Sequence, residues 1–234
     1  MKNGHFCDLY CIKGIILKNS IGLYWIVCIG RITPQLKTRR IIVNQFTDIQ
    51  ALETWLGDYG IDYESWGNRS SKSLSNLWQE LQAGEVQLIE NPPLRRVEVV
   101  QVIIRQDGEV LVEAEQEFFN GQRRYRNQPP SEKIKPGETV QDAASRCLRE
   151  ELALPNAAFT LRPDTHRQYQ TNTNSISYPG LPSQYNFHVI EAAVSGLPAE
   201  DFWRENQSDG VIDPVKRHRW EWRPADSIQF IGDR

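Results

Sequence analysis

Glu150 and Glu151 are adjacent carboxylates at the end of a segment with helical periodicity, and Arg146 stands one turn before them. A hard divalent cation takes several oxygen ligands, so two neighbouring carboxylates on a helix edge suit Mg or Mn, with substrate phosphates and water completing the shell. Arg146 is spaced to pair with Glu150, and Cys147 lies one turn above Glu151. Upstream, Arg123, Arg124 and Arg126 cluster after the Asn120-Gly121 turn. A strand there puts Arg124 and Arg126 on one face, and guanidinium forks match phosphate oxygens. Together these residues point to chemistry on a diphosphate, with arginines on the phosphates and carboxylates on the cation that bridges them.

The elements that must position them follow from local signals. Pro136-Gly137 is a turn, and Thr139 with Asp142 forms a capping pair that starts a helix just after Glu138. Val140, Ala143, Ala144, Cys147, Leu148 and Leu152 recur at helical spacing and should pack on a core. Val97 to Ile104 and Val110 to Phe118 alternate around Asp107-Gly108 and predict a hairpin, followed by a short strand over Gln122 to Arg126. Before them, Tyr10 to Leu17, Leu23 to Ile32 and Ile41 to Val43 read as strands. Thr47 to Tyr59 and Ser73 to Ala83 read as amphipathic helices, and Asn91-Pro92-Pro93 as a hinge. Trp55 and Trp78 are expected in the core. After the acidic helix, Ala158 to Leu161 and Tyr185 to Val194 are expected strands, Gln168 to Gln184 a long loop, Ala199 to Asn206 a helix and His218 to Trp222 a last strand. His166, His188 and His218 are expected to be structural, and Trp220 and Trp222 share a strand face from which one could stack on a nucleobase, packing against the C-terminal helix being the more common fate.

The segment from Ser131 to Leu154 resembles the Nudix box, a Gly, five residues, a Glu, seven residues, then Arg-Glu-apolar-x-Glu-Glu-x-Gly-apolar. Glu138, Arg146, Leu148, Glu150, Glu151 and Leu154 fall in register. Glu132 replaces the leading Gly, Cys147 the first Glu of the Arg-Glu pair, and Ala153 the closing Gly. The resemblance implies a mixed α/β sheet flanked by helices, here over residues 95–234, with an N-terminal α+β extension over residues 1–94. It implies Glu138, Arg146, Glu150 and Glu151 as catalytic residues and Mg or Mn held by Glu150 and Glu151, with Glu132 and Glu138 as further ligands. The activity implied is hydrolysis of a nucleoside diphosphate linked to another moiety. The three departures carry the alternative, an inactive Nudix-like module that binds a nucleotide or a protein, the latter through residues 1–94. Trp66-Gly67, Lys72-Ser73, Leu77-Trp78, Gly84-Glu85, Arg96 and Ser131-Glu132-Lys133 also resemble an uncharacterised Nudix-like group of plants, fungi and cyanobacteria.

Composition narrows the partners. The 27 Lys and Arg against 30 Asp and Glu give a net charge of −3, which argues against broad adhesion to nucleic acid or to an anionic membrane. The most apolar run, Ile21 to Gly30, is too short to cross a bilayer, and Lys13 and Lys18 interrupt any secretory core. Cys7, Cys11, Cys28 and Cys147 lack paired zinc spacing, so the expectation is a reduced, cytoplasmic protein; a nucleotide-type small molecule as its partner is what the Nudix resemblance implies.

Overall fold

The computed structural model describes residues 14–18, 24–28, 41–43, 46–68, 71–207 and 215–227. Cys7, Cys11 and the outer parts of the first two expected strands lie outside these residues. The chain divides into two units, Met1–Arg39 and Arg40–Arg234. In the first, β1 (Gly14–Lys18) pairs antiparallel with β2 (Tyr24–Cys28).

The second unit is built on one long strand. β5 (Leu94–Gln106) alternates between two buried faces and carries neighbours on both edges. Along one edge it pairs in turn with β4 (Val86–Glu90), β8 (Ser131–Lys133) and β6 (Glu109–Phe118), all antiparallel. Along the other it pairs in parallel with β10 (Pro182–Val194), which pairs antiparallel with β9 (Phe159–Asn174). β3 (Ile41–Val43) joins β4, while β7 (Arg123–Gln128) and β12 (Val215–Pro224) flank β6, and β11 (Phe202–Glu205) closes beside β12. The result is a ten-stranded mixed sheet with helices on both faces.

Side-chain alternation sorts the two cores. Val97, Val99 and Ile103 of β5 pack with Leu52, Trp55 and Leu56 of α1 (Ile49–Asp58) and with Leu77 and Leu81 of α2 (Leu74–Gln82). Val100, Val102 and Ile104 face the other way, onto Ala143, Ala144, Cys147, Leu148 and Leu152 of α3 (Val140–Leu152). Trp55 is in the first core, and Trp78 packs against it, as their helical spacing predicts.

Three expectations are corrected, and the tryptophans of the last strand take the packing role. Gln168 to Gln184 is not a loop: β9 runs on to Asn174, and β10 begins at Pro182. Its polar composition reflects an edge strand whose side chains meet water, while its backbone keeps register with β10 from Asn174 to Arg167. Ala199 to Asn206 holds β11 rather than a helix, because Phe202 is drawn into the α3 core and the backbone pairs with β12. Asn91-Pro92-Pro93 is the turn of the β4–β5 hairpin, not a hinge, since the strands on either side of it are paired. Trp220 is fully buried in the α3 core and has no face free for a base; Trp222 packs on that core and its indole N–H donates to Pro198 O at 2.9 Å.

Candidate active site

The loop into α3 is set by two local devices. Glu138 N–H donates to Lys135 O at 3.1 Å, closing a turn with Pro136 and Gly137 at its centre. Gly137 sits at φ +83°, where a side chain would strain the turn. Thr139 and Asp142 then exchange side-chain and backbone hydrogen bonds in a capping box, which fixes the first turn of the helix. On the far side of this loop Gly84 brings the α2–β4 corner against it: a Cβ there would stand 2.5 Å from Pro136 Cγ.

Arg146 is the hub. Its Nε and Nη2 donate to the two oxygens of Glu138 at 2.8 and 2.9 Å, Nη1 donates to Glu150 at 3.3 Å, and Nη2 also donates to Lys133 O at 2.6 Å. Glu132 lies 3.7 Å from Nη1. One guanidinium thus ties the loop, the end of β8 and the last turn of α3 together. Burial works against its charge, yet the Glu138 hydrogen bonds and the charges of Glu132 and Glu150 outweigh it and raise the pKa further. The Glu138 carboxyl is held low, first by its hydrogen bonds with Arg146.

Beneath this layer is a second, buried one. Glu151 accepts from Ser131 N–H at 3.3 Å and from the Cys147 thiol at 3.8 Å. Burial first, then the charges of Glu113 and Glu132, push its carboxyl well up. Glu113 of β6 takes Arg126 at 3.2 Å on one oxygen and His218 of β12 on the other; burial alone would raise its carboxyl, and these partners hold it low. Glu132 is raised by burial and by Glu150, against the pull of Arg146.

Charge decides what the arrangement suits. Glu113, Glu132, Glu138, Glu150 and Glu151 are five carboxylates, set against the guanidiniums Arg126 and Arg146 and the imidazole of His218. Negative charge exceeds positive, and the excess falls on Glu132, Glu150 and Glu151. A divalent cation would relieve it, and these oxygens are the hard donors that Mg or Mn takes. Among the described residues, no three His, Cys, Asp or Glu side chains stand in a metal-holding arrangement, so these carboxylates would have to move to share an ion.

Cys147 is completely buried in the α3 core, and burial, followed by Glu151 and Glu132, pushes its thiol well above the ordinary value. Its place among Ala143, Ala144 and Leu148 fits the packing role read from its spacing. Ala153, at the closing Gly position, ends α3 with φ +54°.

The arginines of β7 separate. Arg126 reaches the buried layer, donating also to Ser131 Oγ at 3.4 Å. Arg124 donates to Gln116 at 2.9 Å, and Arg123 pairs with Glu115 at 2.9 Å. Glu113 is absent from the sequence reading, and His218 is read there only as a structural histidine, not as a partner of this layer. They come from strands 105 residues apart, and neither has a local signature.

A family model of the NUDIX domain matches residues 94–231, more than half of the chain. The chain belongs to the Nudix family. The matched residues include α3 and the loop that Arg146 ties to it. Solved structures similar to the chain include a Caenorhabditis elegans Ap4A hydrolase binary complex, at 16% identity over 56% of this chain and 81% of that one, TM-score 0.33. Others are a NUDIX hydrolase from Nitrosomonas europaea, at 21% over 53% and 70%, TM-score 0.33, and an ADP compounds hydrolase, at 19% over 58% and 68%, TM-score 0.30. No curated protein matches the chain. Nudix hydrolases in general use divalent metals, and no helix among the described residues is long and apolar enough to cross a membrane.

Proposed function

We propose that this Nudix protein is a divalent-cation-dependent hydrolase of a nucleoside diphosphate linked to another moiety. The observation that carries the reading is the excess of carboxylate at the end of α3, with Arg146 already locked to the loop. Glu150 and Glu151 hold Mg or Mn, and Glu132 from β8 adds the carboxylate that Cys147 does not supply. When bound, the cation neutralises the diphosphate and lowers the pKa of a water for attack on phosphorus.

Arg146 is a positioning residue: it aims Glu150 and fixes the loop through Glu138, whose two oxygens it occupies. Ser131 N–H orients Glu151. Arg126, beside Ser131, is the arginine of β7 best placed to meet a phosphate, with Arg123 and Arg124 further along the same strand.

The test is product release from a panel of nucleoside diphosphate derivatives with Mg or Mn. Turnover by the native chain and its loss in Glu150→Gln/Glu151→Gln supports hydrolysis. A second reading, a nucleotide-binding module without turnover, is favoured by the buried thiol at position 147. Ligand-induced thermal stabilisation with the diphosphate left intact would establish that reading and overturn the first.

A further inference from the structure

Beside α3, the same face of the sheet carries a cluster that hydrolysis does not use. Val100 of β5 pairs with Glu132 of β8 on one side and with His188 of β10 on the other. His188 and Glu132 are thus two strands apart, about 10 Å across the sheet.

At that position the edge strand is irregular. Between the pairs Arg167↔Val189 and Arg162↔Glu191, residues 163–166 of β9 stand against Ile190 alone. Thr165 fastens the bulge: its hydroxyl donates to Arg162 O at 2.6 Å and accepts from Glu191 N–H at 2.9 Å. Bulges re-aim side chains, and this one lays the His166 ring parallel to His188, 6° apart, with His166 Nε2 and His188 Nδ1 separated by 3.1 Å.

Three features of this pair match a metal site. The two ring nitrogens are hydrogen-bonded to each other at 3.1 Å; on one tetrahedral Zn, each about 2.0–2.1 Å from the ion, they would stand roughly 3.3 Å apart, so an ion would replace the shared proton with a small shift of the rings. The other nitrogen of His188 faces Glu98 Oε2 at 3.2 Å, and Glu98 Oε1 accepts from Asn186 at 2.6 Å. A carboxylate on the far nitrogen of a ligating histidine is the arrangement that fixes its tautomer and raises its basicity. His166 is exposed and His188 half-buried, so an ion can reach the nitrogens and keep water in its remaining positions.

We propose that His166 and His188 form a two-histidine site for a borderline transition cation, Zn in the first place, with Glu98 orienting His188. Imidazole donors select Zn, Ni or Cu over Mg, so this site and the carboxylate site take different ions. The inference does not rest on hydrolysis.

The experiment is calorimetric titration of Zn into the full chain with Mg in excess. Wild type should take up Zn at a site weakened at least tenfold by His166→Ala and by His188→Ala, and about tenfold by Glu98→Gln. Glu150→Gln/Glu151→Gln should leave it unchanged. Because His166 is exposed, its variant should melt with the wild type. Cobalt bound at the same site should lack a thiolate charge-transfer band, which separates it from the cysteines. An unchanged Zn affinity in His166→Ala, or no Zn uptake by the wild type, would overturn the proposal.

Discussion

Two groups of buried charge sit on opposite faces of the sheet, and they are balanced in opposite senses. On the α1–α2 face Glu80 of α2 is 1% exposed and held by Lys133 at 2.7 Å, Lys72 at 2.8 Å and Arg95 at 3.0 Å. Burial alone would raise its carboxyl, but the three cations pull it far below the ordinary range. On the α3 face the carboxylates outnumber their cations, and Glu132 and Glu151 are pushed up. The first group is satisfied by the protein alone and joins α2 to β5 and β8. In the second, five carboxylates share Arg126, Arg146 and His218. Burial and ion pairing are common to both, so net charge is what separates the structural network from the cation site we propose.

The largest expected effect breaks the structural group. Glu80→Gln leaves three cations around a neutral amide and should cost about 3–5 kcal/mol in urea unfolding. A cost below about 1 kcal/mol would mean the network is not structural. Next is the cation group: Glu150→Gln/Glu151→Gln should lower metal-dependent turnover by at least about a hundredfold, an effect of roughly 3 kcal/mol, with the fold intact.

The groups should also differ in their response to pH. A carboxyl raised on folding leaves the folded state binding the extra proton, so stability falls as pH climbs from 4.5, the ordinary value, towards the folded value. For Glu151, Glu151→Gln removes this loss. The metal-free variant should be more stable than the native chain at pH 8, by on the order of 1–2 kcal/mol, with the gap closing near pH 4.5. For Glu80 the sign reverses: its stabilisation is present above 4.5 and is lost as pH falls below it towards the lowered folded value. A stability difference for Glu151→Gln that widens on acidification would contradict the assignment of a raised carboxyl.

Smaller effects sharpen the box itself. Ala153 ends α3 in the left-handed region, so Ala153→Gly should stabilise by about 1 kcal/mol, read as a rise in Tm. Cys147→Ser should change the metal dependence of turnover by less than about twofold, since Cys147 is packed in the α3 core; a switch in metal preference would restore Cys147 to the site.

The acidic helix was legible because its signals are local. Pro136-Gly137, the Thr139–Asp142 box and the apolar stripe from Val140 to Leu152 each declare themselves within a few residues. The β5–β6 hairpin was legible for the same reason, through Asp107-Gly108. β9 and β11 were not, because tertiary pairing overrides their composition: Thr171 to Asn174 look like loop until β10 is beside them. Glu113 and Glu80 gave no sign in the sequence, and His218 showed there only as a structural histidine. Their roles arise from partners on other strands and helices, and spacing along the chain does not encode which carboxylate ends beside three cations and which beside two other carboxylates.

The most direct test counts manganese by electron paramagnetic resonance, with and without a non-hydrolysable nucleoside diphosphate analogue. If the carboxylate excess is a cation site, the native chain and Cys147→Ser take up Mn, Glu132→Gln takes up less, and Glu150→Gln/Glu151→Gln takes up none. Equal uptake by the native chain and the double variant, or none by either, would contradict the account.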